Sequence, residues 1–129
     1  MARREQRETG PLNEVRLRGR LSGEPEERVL PSGDTVVGFR VVVDRPAADR
    51  DKGRAAVDTL DCAAFRAGPR RAVLRCGPGD IIEVSGALHR RFYAAASGRA
   101  SRYEVEAVAV SRVARAGTAP EAGRDTMAG

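Results

Sequence analysis

Tryptophan is missing from this 129-residue chain, and aromatic residues of any kind make up only 4% of it. Any work that needs a ring therefore falls to Phe39, Phe65, Phe92, Tyr93 and Tyr103. Histidine occurs once, at His89, and cysteine only at Cys62 and Cys76. Together they are one ligand short of a closed zinc site and sit at no recognisable metal spacing, so no metal and no other cofactor is expected. The thiols read instead as reduced core residues of an intracellular protein. No apolar run is long enough to cross a bilayer, and the opening stretch, residues 1–8, carries charge without an apolar segment, which predicts a cytoplasmic chain with no membrane contact. Catalytic equipment is equally scarce. There is no nucleophile elbow and no phosphate-binding glycine loop, and Asp58 and Asp61 fall on opposite faces of one strand, where they cannot share a substrate. The expectation is a protein that is not an enzyme.

What the chain does have is positive charge and strand periodicity. Its 23 basic residues exceed its 18 acidic ones, for a net charge of +5. Lys52 is the only lysine, so the basic load is almost all arginine, whose guanidinium forks onto phosphate and also lies flat on a ring or a base. A GC-rich genome would also write Arg for Lys, so the sign of the charge says more than its chemistry. Both point to an anionic partner.

Alternation of apolar and polar residues marks the strands. Val15, Leu17, Gly19 and Leu21 alternate with Glu14, Arg16, Arg18 and Arg20, which predicts strand one. Residues 22–27 and then Pro31 to Asp34 read as turns. Strand two is predicted over 35–44, with Val37, Phe39, Val41 and Val43 on its inner face. Residues 45–56 have no period and read as a long loop. Strand three, 57–65, puts Leu60, Cys62 and Ala64 on one face and Thr59, Asp61, Ala63 and Phe65 on the other. A short helix is expected over 69–76, with Pro69 in its first turn and Gly77-Pro78-Gly79 after it. Strand four, 80–93, points Ile82, Val84, Gly86, Leu88 and Phe92 one way and His89, Arg91 and Tyr93 the other. Residues 94–101 read as a hairpin loop. Strand five, 102–113, is led by Tyr103, Val105, Ala107 and Ala109, and parity assigns Phe39 and Tyr103 to the core. Residues 1–11 and 114–129 lack any period and are expected to be disordered. Three strands, one helix and two strands make an all-β domain over 12–113, in the order of the five-stranded Greek-key OB-fold barrel.

At this point local motifs become recognisable. The run Asn13 to Leu21, Glu24-Pro25-Glu26 with Arg28, Pro31-Ser32-Gly33, the strand of Phe39, Asp58 to Phe65, Gly77 to Leu88 and Arg102-Tyr103 with Glu106 together resemble a bacterial single-stranded DNA-binding protein. The resemblance runs from about residue 12 to 113 and looks like a short, accessory member of that family. It implies binding of single-stranded DNA with little sequence preference, in replication, recombination or repair, and association with the nucleoid. At the positions where the family stacks bases on rings, this chain has Ala47, Thr59, Phe65 and Tyr93. Two rings are thus absent.

A sequence-tolerant binder needs flat rings for bases and cations for phosphates. Phe65, Tyr93, Thr59, His89 and Arg91 are the candidates on the sheet, and Arg40, Arg45, Arg50, Arg54, Arg99 and Arg102 the candidates around it. A plain core ring is the competing reading for Phe65 and Tyr93, and a solvated charge for each loop arginine. The resemblance also implies pairing of subunits through strand one. There Arg16 and Arg18 replace aliphatic residues, so a homo-oligomer is expected as a dimer in which Glu14 of one subunit answers the other's arginines, the tetramer being less secure. No acidic tip closes the chain, which leaves recruitment of repair enzymes by such a tip unsupported. Two alternatives stay open: an OB-fold that prefers single-stranded RNA, and a protein-interaction OB-fold that has lost nucleic acid.

Overall fold

The computed structural model describes residues 8–48, 52–53 and 56–117. Strands form wherever period two was read: β1 (Val15–Leu21), β3 (Thr35–Asp44), β4 (Val57–Ala64), β5 (Ile81–Ala95) and β6 (Gly98–Ala114). A further short strand, β2 (Glu26–Val29), raises the expected five to six. All four of its residues are exposed, so it has no apolar face to betray it. It is held by backbone pairing to β3, from Glu26 opposite Gly38 to Val29 opposite Thr35. The connecting turn closes with Gly33 N donating to Leu30 O at 2.8 Å, and Gly33 takes φ +94°, a conformation that favours glycine.

The ladders run β1-β5-β6-β4-β3, and β3 pairs back onto β1 at Arg20–Val42 and Leu21–Val41, so these five strands form a ring with β2 at its margin. Among the described strands only β4 and β6 run parallel. The ring needs two close backbone approaches. A Cβ on Gly19 would meet the Val42 carbonyl oxygen, and one on Gly86 the Glu106 carbonyl oxygen. Glycine at both positions lets the strands pass.

One helix, α1 (Ala67–Leu74), lies between β4 and β5, two residues earlier than expected. Pro69 still falls in its first turn, where its missing N–H costs no hydrogen bond. Val73 is fully buried and joins Leu21, Phe39, Val41, Ile82, Val84 and Val105 in a single core. Cys62 and Cys76 are buried there as free thiols.

Parity misled along the last two strands. The expected loop at 94–101 is mostly ladder, which continues to Ala95 opposite Gly98. The register also passes over Val108 and Val113, each an extra residue on β6. Beyond each bulge the inward positions shift by one, which is why Ala109 is exposed while Val110 packs on the core. Tyr103, assigned to the core, is 57% exposed, and Leu88 and Phe92 are exposed too. They hold the barrel-lining parity, but the hairpin outruns the barrel and they lie outside its core cluster.

The expected disorder at 1–11 and 114–129 falls mainly outside the described residues. Within them, Ala114 belongs to β6 and Ala116 N donates to the Asp80 carboxylate at 2.6 Å. Asp80 also accepts from Gly77 N, and these two backbone donors, with Arg112 nearby, hold its carboxyl below the usual carboxylate range.

Candidate nucleic-acid interface

The outward parity of β4 leads through Thr59, Asp61 and Ala63 to Phe65, just past the strand end. Beside it runs one face of the β5–β6 hairpin, where His89, Arg91 and Tyr93 stand opposite Glu104, Arg102 and Ala100. The Arg91 guanidinium lies 5.2 Å from the centre of the Phe65 ring. Phe65, Arg91, Tyr93 and Arg102 line a cavity of about 520 Å³ together with Arg28, with Cys62 and Ala63 also in its wall. A neighbouring cavity of about 510 Å³ shares Arg28, Cys62 and Arg102 and adds Arg40, Asp61, Glu24 and Glu26. The shared residues make them two lobes of one groove across the outside of the barrel.

Arg28 apart, the groove's cations are already engaged. Arg91 Nε donates to Glu104 at 2.9 Å, and its Nη2 lies 3.7 Å from Glu106. Arg102 is 3.5 Å from Glu104, His89 Nδ1 is 3.0 Å from Glu106, and Arg40 is 3.0 Å from Asp61. An arriving phosphate has to compete with a carboxylate at each of them. Arg45 is gripped more firmly: it donates to both oxygens of Asp58, at 3.1 and 2.8 Å, and holds that carboxyl below its ordinary value.

The structure thus gathers Phe65, Tyr93, Arg91, Arg102 and Arg40 along one groove, with His89 on the same hairpin face. Thr59 and Arg45 line neither lobe. Arg99 pairs with Ala94 across the hairpin, which puts it on the opposite face from Tyr93. Arg50 and Arg54 lie outside the described residues. Sequence reasoning missed Arg28, which enters the groove because β2 is a strand, and also the acids Glu104 and Glu106, whose positions opposite His89 and Ala87 depend on the β5–β6 register. The signal for Arg28 was its place between two turns, a spacing that suits a hairpin arm.

On β1, Arg16 and Arg18 are answered within their own chain. Both reach Glu83 on β5, at 3.1 and 2.7 Å, and together they pull its carboxyl below the usual range. Glu14 is exposed. Among the described residues no cluster of His, Cys, Asp and Glu could hold a metal ion, and no helix is long and apolar enough to cross a membrane.

A small OB-fold barrel with a ring-bearing, arginine-rich groove on its outer wall is the class that fold and site define. The sequence profile described as "Single-strand binding protein family" matches residues 12–113, and the chain belongs to that family. It is 31% identical over 100 residues to the single-stranded DNA-binding protein of Oceanobacillus iheyensis, a match covering 78% of this chain and 61% of that protein. It is 34% identical over 88 residues to single-stranded DNA-binding protein 1 of Staphylococcus aureus, covering 68% of this chain and 52% of that one. The chain therefore spans between about half and six-tenths of these relatives' length. In fold it is similar to a solved structure described as "Plasmodium falciparum SSB complex with ssDNA", with a TM-score of 0.68 at 21% identity, over 80% of this chain and 96% of that one.

Proposed function

We propose that this chain binds single-stranded DNA with little sequence preference and covers it during replication, recombination or repair, as a binding protein with no catalytic step. The observation that carries this reading is the grouping of Phe65 and Tyr93 with Arg91 and Arg102 in one groove of a barrel whose family is defined by single-strand binding. Rings stack on bases of any identity and arginines track the backbone, which is the chemistry of sequence-tolerant binding. A cytoplasmic, nucleoid-associated location and a dimer through β1 belong to the same proposal. Two observations favour the competing reading of a protein-interaction barrel: Arg40, Arg91 and Arg102 already hold carboxylates, and Thr59 is not a ring.

The experiment is a titration of tyrosine emission with polythymidine over a range of salt. Emission should be quenched. With about four phosphates neutralised, log affinity should fall with log salt at a slope of about −3, at ~0.7 per contact. Failure to bind polythymidine at low salt would refute the reading in favour of a protein partner, and a strong preference for polyuridine would move it to RNA.

A further inference from the structure

The groove uses only one face of the β5–β6 hairpin. On the other face Arg90 stands opposite Tyr103 and Arg99 opposite Ala94, with Phe92 between them. Phe92 is 59% exposed and Tyr103 57%. The Arg90 guanidinium bridges the two rings, 5.0 Å from the centre of Phe92 and 5.6 Å from that of Tyr103.

The charge on this face is arranged differently from that in the groove. Arg90 donates only to the Ser101 hydroxyl, at 3.2 and 3.3 Å, and among the described residues neither Arg90 nor Arg99 has a carboxylate within ion-pair distance. In the groove, Arg40, Arg91 and Arg102 must give up an acid before they take a phosphate. Arg90 and Arg99 need not. A second copy of the chain is a poor occupant, because a two-fold contact through this face would bring uncompensated arginines together with no acid among Arg90, Phe92, Arg99, Ser101 and Tyr103 to answer them. An anion with flat faces suits it.

The two faces also meet. At the hairpin tip a cavity of about 430 Å³ is lined by Tyr93 from the groove face and by Phe92 and Arg99 from the other. We propose that a single strand leaving the groove at Tyr93 rounds this tip and stacks further bases on Phe92 and Tyr103, with Arg90 and Arg99 taking its phosphates. The outer hairpin face is thus a second stretch of the same nucleic-acid path. The proposal rests on the single-strand reading above.

The full chain supplies its own reporters, since Tyr93 and Tyr103 are its only tyrosines and there is no tryptophan. Tyr93→Phe leaves Tyr103 as the sole emitter, and Tyr103→Phe leaves Tyr93. Each is titrated with polythymidine of about ten nucleotides, near what one such barrel covers, and of about thirty. The longer strand should quench both emitters, and the shorter chiefly Tyr93. Phe92→Ala should weaken binding of the longer strand roughly 5- to 150-fold, the equivalent of one lost stack, and leave the shorter nearly unchanged. Quenching of Tyr93 with Tyr103 unmoved by the longer strand overturns the second contact and leaves the groove intact. A Tyr103 emission that follows protein concentration without DNA, together with a mass that halves in Phe92→Ala, assigns the face to self-association and overturns it as well. Absence of any binding takes down both this proposal and the reading it rests on.

Discussion

Phe39 and Phe65 carry the same ring 26 positions apart, and only their surroundings separate a core ring from a groove-lining one. Phe39 is 6% exposed within the core, so Phe39→Ala should cost ~3–5 kcal/mol of stability in a urea melt. Phe65→Ala and Tyr93→Ala should each weaken polythymidine binding by ~1–3 kcal/mol and leave the melt little changed. Strand parity was enough to sort Phe39 from Phe65, because β3 and β4 pair without a bulge up to the residue before Phe65. It could not name the acids that meet the arginines. Which carboxylate faces Arg16 or Arg91 depends on how two strands align, and no single strand records that. Acid should expose these pairings. Asp58, Asp80 and Glu83 are all held below their ordinary values of 3.8, 3.8 and 4.5, by Arg45, by backbone N–H groups and by Arg18 with Arg16 respectively. A carboxyl depressed in the folded state contributes stability above its unfolded pKa and loses it as pH falls through the folded one. The urea midpoint should therefore hold down to about pH 5 and drop below about pH 4, and Glu83→Gln should flatten part of that drop.

At the level of elements, the β5–β6 hairpin is both the longest feature and the one the sequence described least well. Five strands and the helix were legible because each has one face in the core, and burial writes period two or a proline-led turn into the residues. β2 has no buried face, so only its turn could show. The hairpin arms kept their period beyond the barrel's end, where parity no longer implies burial, and Tyr103 was misassigned for that reason. Gly86 has a definite task in this hairpin, since a methyl group there would run into the Glu106 carbonyl. Gly86→Ala should destabilise by at least the ~1–3 kcal/mol of an overpacked site, and Gly19→Ala likewise through the Val42 carbonyl. Gly38→Ala is the control in a melting series, because a Cβ there meets nothing within 4 Å.

For the whole molecule, the proposed dimer turns on β1. Strand edges seek partners, and Arg16 and Arg18 would set like charges against each other across a two-fold contact. Glu83, on both of them within the chain, removes part of that repulsion. Sedimentation at tens of micromolar should find a dimer, Glu83→Gln should weaken it more than Glu14→Ala, and the reverse order would restore Glu14 as the answering acid. The two thiols set apart in the core carry a different kind of information. Cys62 sits inside β4, paired to Phe39 on one side and Val105 on the other, and burial pushes its thiol up to about 12. Cys76 only follows α1, held by its N–H to Val73 O at 3.0 Å. An alkylating reagent reaches either one only during an excursion from the native state, so the order of mass increments times the opening. Cys76 should be modified first as the helix lifts away, and a bound strand lying over the wall that contains Cys62 should slow the second increment while leaving the first at its own pace.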